Sequence, residues 1–391
     1  MTVTGPKGFR AAGVAAGLKS AGQLDVALVV NDGPDATAAG VFTANRVKAA
    51  PVLWSQQVLK AGIVRAVILN SGGANACTGP QGFQDTHATA ELTAARVTSG
   101  GKGRLVVGPA DVAVCSTGLI GERLPMDRLR PGVEAAVRGL SRDGGAAAAE
   151  AIMTTDSRPK TVHVVEEGWS VGGMAKGAGM LAPGLATMLC VLTTDAAVDS
   201  GTLQSVLRRA TSVTLDRVDS DGCQSTNDTV LLLASGASGR SPTEDELLAA
   251  VTAACHDLAQ QLLSDAEGST KDVAIEVRAA ATEADAVEVA RSIARNNLVK
   301  TALFGADPNW GRILAAVGTT AAAFEPDRLS VSINGVWVCR AGAAAEDRSK
   351  VDLTGRGVRI VVDLAAGSET ATVWTNDLSL AYVHENSAYS T

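Results

Sequence analysis

Aromatic residues make up only 3% of this 391-residue chain, too few for the stacking platforms that single-stranded nucleic acids require. The charge balance points the same way. With 34 basic and 41 acidic side chains the net charge is −7, so a phosphate backbone is not the expected partner. Long apolar runs are missing too. Runs such as residues 26–30 and 66–69 have strand length and fall far short of the roughly 20 residues that span a bilayer. Residues 1–10 lack a charged-then-apolar leader pattern, so a soluble, cytoplasmic chain is expected, with no membrane partner. The six cysteines include no C-x-x-C pair, and His87, His163, His256 and His384 share no ligand spacing with them. Reduced thiols and no metal site are therefore expected.

What is abundant is apolar and small. Hydrophobic residues reach 46%, ample for a core, and the length exceeds one usual domain, so two domains or two pseudo-subunits are expected. Strands are predicted at 26–30, 67–69, 112–114, 162–165, 188–193, 229–233, 273–277, 329–333, 358–362 and 372–374, several of them apolar throughout. Helices are predicted at 132–140 with 146–153, and at 203–213, 243–263 and 284–294. The helix at 243–263 opens on Ser241-Pro242-Thr243 followed by Glu244 and Glu246, residues suited to a positive N-terminal end. Glycine-rich or small-residue stretches at 99–103, 143–145 and 341–345 are read as loops.

One stretch has chemical character. Lys176-Gly177-Ala178-Gly179-Met180-Leu181-Ala182-Pro183-Gly184-Leu185-Ala186-Thr187 sets a lone threonine between a Gly/Pro loop and an apolar run. Residues 177–182 match G-x-G-x-x-A, but that dinucleotide fingerprint needs a helix directly afterwards, and Pro183-Gly184 follow instead. A threonine hydroxyl becomes nucleophilic when a base adjoins it, and cutting the chain before Thr187 would supply its own α-amine. Elsewhere, Thr117-Gly118 after an apolar strand offers a hydroxyl and a backbone N–H able to hold an oxyanion, although such a pair is often an ordinary turn. Asp265-Ala266-Glu267-Gly268 ends the longest helix candidate, where a solvated helix end is the plain alternative. The polar close, Glu385-Asn386-Ser387-Ala388-Tyr389-Ser390-Thr391, reads by itself as a frayed tail.

Taken together, the blocks at 8–13, 70–79, 115–121, 152–156, 176–180, 185–189, 225–229, 307–312 and 385–387 resemble the glutamate N-acetyltransferases, or ornithine acetyltransferases, of arginine biosynthesis, nearly end to end. The resemblance implies self-cleavage between Ala186 and Thr187, giving an α chain 1–186 and a β chain 187–391. It implies an α/β fold, a layered sandwich of stacked sheets flanked by helices, of the self-cleaving N-terminal-nucleophile type, with the two chains intertwined. It further implies ping-pong transfer of acetyl from N-acetyl-L-ornithine to L-glutamate through acetyl-Thr187. In that scheme Thr117 and Gly118 form the oxyanion hole, and Thr154, Lys176, Thr187, Glu267, Asn386 and Thr391 bind substrate. An assembly of two α and two β chains is implied, and no cofactor, since Thr187 itself holds the acyl group. Some members of the family also accept acetyl-CoA as donor. The rival reading is an aminopeptidase-like hydrolase of the same architecture, which differs only in passing its acyl group to water.

Overall fold

An extended run that is apolar at every position has no face to give to water and must be covered twice. In the computed structural model, which describes residues 2–20, 22–100, 105–182 and 188–388, such runs form the middle of a layered sandwich. One sheet holds four strands in the order β1 (Phe9–Val14), β2 (Val26–Asn31), β4 (Ala66–Asn70), β5 (Val112–Ser116). The other holds five in the order β3 (Thr37–Phe42), β9 (Thr229–Ala234), β8 (Leu189–Thr194), β7 (Trp169–Lys176), β6 (Lys160–Glu166).

The sheets stack through Ala27, Val29, Val67 and Leu69 on one side and Met174, Val191, Leu231 and Leu233 on the other. Alternate residues turn outward, as the two-residue period of a strand requires. Val26, Leu28 and Val30 meet α2 (Gly79–Gly100) and α3 (Met126–Arg138). Cys190, Leu192, Val230 and Leu232 meet α5 (Ser200–Ser212) and α6 (Glu244–Ser264). The helices α1 (Ala50–Val58) and α4 (Gly145–Ala151) pack on β5 and β1. The layers thus run helix, sheet, sheet, helix, the α/β sandwich that the family resemblance implies.

A second core builds on a six-stranded sheet in the order β13 (Ala343–Ala344), β12 (Val336–Arg340), β11 (Ser330–Ile333), β14 (Gly357–Asp363), β10 (Asp272–Ala280), β15 (Glu369–Asn376). It is covered by α7 (Glu283–Ala294), α8 (Asn297–Phe304) and α9 (Trp310–Val317). The described chain ends in α10 (Leu380–Ala388), so residues 385–388 are helical rather than a frayed tail. Among the described residues no helix is long and apolar enough to cross a membrane. The five-stranded sheet takes β3, β6 and β7 from before residue 187 and β8 and β9 from after it, with Met174 opposite Val191 and Lys176 opposite Leu189.

Each predicted strand lies on an observed one. Five of the described strands have no predicted counterpart. β1, β3 and β7 contain Gly13, Gly40, Gly172 and Gly173, which dilute the apolar pattern. β12 is the short return strand of a hairpin, and β13 falls within the stretch 341–345 expected to be a loop. The longest helix, α2, has no predicted counterpart, and it extends through Ser99 and Gly100, where the small-residue pattern predicts a loop. Its buried face includes Thr86, Thr89 and Thr93. Thr89 and Thr93 donate to the carbonyls of Asp85 and Thr89 four residues back, so hydroxyls stand where a helical pattern calls for apolar side chains. The helix α3 starts ahead of the predicted 132–140 and runs through Pro131. The capping expectation holds for α6: Thr243 Oγ1 accepts from Glu246 N, and Glu246 Oε2 accepts from Thr243 N at 2.8 Å.

The glycines of β1 and β7 are required by close approach. A Cβ on Gly13 would lie 2.0 Å from the Ala147 carbonyl oxygen of α4. Gly13→Ala therefore forces α4 away from the sheet. We expect a loss of roughly 3 kcal/mol, read as a fall of several degrees in the thermal midpoint; an unchanged midpoint would contradict this packing.

Candidate active site

Several chain segments end at one edge of the sandwich. In the register, the last residue of β7, Lys176, lies beside the first of β8, Leu189, which pairs with the first of β9, Thr229. In the other sheet β5 ends at Ser116, and Thr117-Gly118 follow. Asn227 joins the two layers, its Nδ2 donating to the carbonyls of Ala74 at 2.6 Å and Ser116 at 2.8 Å.

Thr117 is held by its backbone. Its N–H donates to Asn70 O at 3.0 Å, and its carbonyl accepts from Gly73 N at 3.0 Å. Gly118 has φ +127°, and a Cβ there would lie 2.6 Å from Gly73 N, so only glycine suits the turn. The Gly118 N–H meets no acceptor among the described residues.

Across the cavity stands Lys176, only 1% exposed. Its Nζ donates to Thr154 Oγ1 at 2.6 Å and to Thr117 Oγ1 at 3.2 Å. Burial lowers the pKa of this ammonium, with Asp156 opposing the shift and Lys160 adding to it. Burial also works to raise the Asp156 carboxyl. The Lys176 and Lys160 ammoniums and the Gly177 N–H outweigh it and hold Asp156 at about 2.

Glu267 follows α6, its N–H bonded to Ala178 O at 3.0 Å and its Oε1 accepting from the Thr155 hydroxyl at 2.7 Å. Gly179 gives it room, since a Cβ there would stand 2.7 Å from Glu267 Oε2. Gly177-Ala178-Gly179 thus accommodates a carboxylate. After β7 the next regular element described is β8, so among the described residues no helix follows the fingerprint. Asn386 reaches the same cavity from α10.

One cavity is therefore lined by Thr117, Gly118, Thr154, Lys176, Glu267 and Asn386, all named from the sequence. Ala186, Thr187 and Thr391 lie outside the described residues. On either side of 183–187 the chain is anchored. Leu181 N donates to Asp221 Oδ2 at 3.0 Å, and Met188 N to Asp228 Oδ1 at 3.1 Å. Asp228 is fully buried, and burial pushes its pKa well above the carboxylate range against the pull of Met188 N–H, Ser225 and Lys176.

The sequence by itself assigns no role to Asp156, Thr155, Asn227 and Asp228. Their signal was membership of the blocks at 152–156 and 225–229; their use depends on burial. Chemically, an ammonium, a hydroxyl and a backbone N–H converge where negative charge could develop, the arrangement that stabilises tetrahedral acyl-transfer intermediates.

The chain matches the model of the ArgJ family over residues 10–391. It is 66% identical over 390 residues to the arginine biosynthesis bifunctional protein ArgJ of Streptomyces avermitilis, covering 100% of both chains. It is 61% identical over 391 residues to the protein of that name in Mycobacterium tuberculosis, covering 99% of this chain and 96% of that one. Among solved structures it is similar to ornithine acetyltransferase complexed with ornithine from Mycobacterium tuberculosis, at 64% identity and a TM-score of 0.45, over 46% of this chain and 94% of that one.

Proposed function

The chain belongs to the ArgJ family, and from that premise we propose how it moves an acetyl group. It is an acyltransferase of arginine biosynthesis, an ornithine acetyltransferase and glutamate N-acetyltransferase. In our reading it cuts itself between Ala186 and Thr187, leaving an α chain 1–186 and a β chain 187–391. The Thr187 hydroxyl then attacks the acetyl carbonyl of N-acetyl-L-ornithine, with its freed α-amine as general base. That amine has a reference pKa of about 7.7–8.0, suited to work near neutrality. The tetrahedral oxyanion faces the Thr117 hydroxyl and the Gly118 N–H. Ornithine leaves with the proton, L-glutamate attacks acetyl-Thr187, and N-acetyl-L-glutamate departs.

The observation that carries this reading is the Lys176 ammonium, buried and bonded to the hydroxyls of both Thr117 and Thr154. It turns the end of β5 into a positively biased pocket for an oxyanion or a carboxylate. Thr154, Lys176, Glu267, Asn386 and Thr391 bind the amino-acid portion of both substrates. The interleaving of strands from either side of residue 187 supports α and β chains that stay associated after the cut, and two of each form the assembly. All six cysteines stand as free thiols, in keeping with a cytoplasmic location. Acetyl-CoA as an alternative donor belongs to the same reading.

The test is intact mass with N-terminal sequencing of the purified protein, beside an assay with N-acetyl-L-ornithine and L-glutamate. We expect two fragments, the second beginning at Thr187, and N-acetyl-L-glutamate formed in step with ornithine. Free acetate without any N-acetyl-L-glutamate would establish the hydrolase instead. A single uncut chain that still transfers acetyl would remove Thr187 as an N-terminal nucleophile.

A further inference from the structure

Behind the cavity wall four buried charges alternate in sign: Asp265, Lys160, Asp156 and Lys176. Lys160 opens β6 and is 0% exposed. Its Nζ lies 2.5 Å from Asp156 Oδ1 and 2.5 Å from Asp265 Oδ2. Buried ions must be compensated, and two carboxylates against two ammoniums balance. The contacts, however, are unequal.

Lys176 Nζ stays 3.9 Å from Asp156 Oδ2, beyond a hydrogen bond, and spends its donors on the hydroxyls of Thr154 and Thr117. Asp156 has its own partners. Oδ1 accepts from Lys160 and from Gly177 N at 2.6 Å, while Oδ2 accepts from Thr154 N at 3.0 Å.

A carboxylate is a stronger acceptor for an ammonium than a hydroxyl is. Without Lys160, Asp156 would draw Lys176 onto itself and away from Thr117. The present arrangement also sets a proton. A threonine hydroxyl has one hydrogen and two lone pairs. With Lys176 donating to Thr117 Oγ1, the Thr117 O–H is left to donate into the cavity.

At its other end the row grips the loop that bears Glu267. Asp265 is two residues before Glu267, accepts from Ser157 N at 3.0 Å, and is bonded by the Ser157 hydroxyl. Neither Lys160 nor Asp265 lines the cavity.

We infer that Lys160 is a positioning residue for acetyl transfer: it occupies Asp156 and Asp265 so that the Lys176 ammonium stays on Thr117 and Thr154 and the Glu267 loop stays docked. The inference rests on the function proposed above. The charged groups acting on Lys176 are Asp156, Lys160, Asp228 and Glu267. Of these Lys160 is the cation, and its charge pushes the Lys176 proton off. Lys176 works as a protonated donor, so the rate falls as pH rises through its pKa. Removing the Lys160 charge lets Lys176 keep its proton to higher pH.

The test uses Lys160→Met and, because that change strands a buried carboxylate, Lys160→Met with Asp265→Asn, which restores charge balance. Each is assayed for transfer from N-acetyl-L-ornithine to L-glutamate across pH, in the native background and with Thr117→Ala. We expect kcat to fall roughly 10–100-fold, with a smaller change in KM and the alkaline limb of the kcat profile displaced upward. With Thr117 already removed, the part of the loss that runs through the Lys176–Thr117 hydrogen bond is gone, so the same change should cost clearly less than in the native background. An unmoved alkaline limb, or an equal loss with and without Thr117, overturns the positioning role. If the single variant does not fold, the charge-balanced variant decides on the same readouts. Absence of transfer by the unaltered protein would instead overturn the functional reading.

Discussion

Thr187→Ala should run as one species at the full 39.6 kDa and should transfer no measurable acetyl from N-acetyl-L-ornithine to L-glutamate. The change removes the hydroxyl that would open the Ala186–Thr187 bond, and hence also the α-amine that the cut would release. Nucleophile and base are lost together. Removing the nucleophile of a comparable acyl-transfer site costs on the order of 10⁶ in kcat, so the residual rate should be near the limit of detection. The unaltered chain should separate on a denaturing gel into pieces of 186 and 205 residues (391 − 186 = 205). Thr187→Ser keeps a hydroxyl and should still be cut. A Thr187→Ala protein that is cleaved and active would require another nucleophile. Thermal unfolding guards against a trivial cause, since a loss of activity with an unchanged midpoint belongs to the site.

The second large effect is expected at Thr117→Ala. Loss of one preorganised oxyanion donor costs roughly 10²–10³ in kcat, and binding of the ground-state amide should suffer far less. The backbone bonds that place the Gly118 N–H, from Thr117 N to Asn70 O and from Gly73 N to Thr117 O, do not use the side chain, so they survive. What disappears is the hydroxyl on which Lys176 rests at 3.2 Å. Thr117→Ser retains that hydroxyl and should recover most of the rate. Steady-state kcat and KM for both substrates check the point. An alanine variant within about threefold of the native kcat would remove Thr117 from the oxyanion site, since one lost donor should cost far more.

Much of the strand pattern is legible in the sequence alone. Strands such as β2, β8 and β9 carry apolar residues at nearly every position, and that composition demands cover on both faces. A pattern of this kind is local, so it survives in a one-dimensional reading. Legibility fell where local and tertiary needs diverge. β7 contains Gly172 and Gly173 because Cβ atoms there would come within 2.3 Å of Thr2 O and 2.7 Å of Leu192 Cδ2, so packing erased the usual strand signal. In α2 buried threonines bonded to the preceding turn took the place of an apolar stripe.

Thr117, Gly118, Thr154, Lys176, Glu267 and Asn386 could be named in advance, but only through resemblance in ordered blocks. Nothing in the isolated neighbourhoods of Lys176 and Thr117 says that an ammonium and a hydroxyl 59 residues apart share a hydrogen bond. Asp228 likewise sits in a polar stretch that reads as a loop, yet it is fully buried beneath the residue that follows Thr187.

By itself, then, the sequence determined that its central strands lie in sheets covered on both faces, through apolar residues at nearly every position, while the layered sandwich followed from the family resemblance. It also set a Gly/Pro-rich stretch ahead of a single threonine. Only the tertiary structure decided which charges are buried and which partner each one takes. Lys160 shows the difference: a lysine at the start of a strand ordinarily reads as a solvated end, and here it is sealed between Asp156 and Asp265, the latter 105 residues away. Desolvation and ion pairing depend on everything that closes around a side chain, and in this fold the closing groups come from distant parts of the chain.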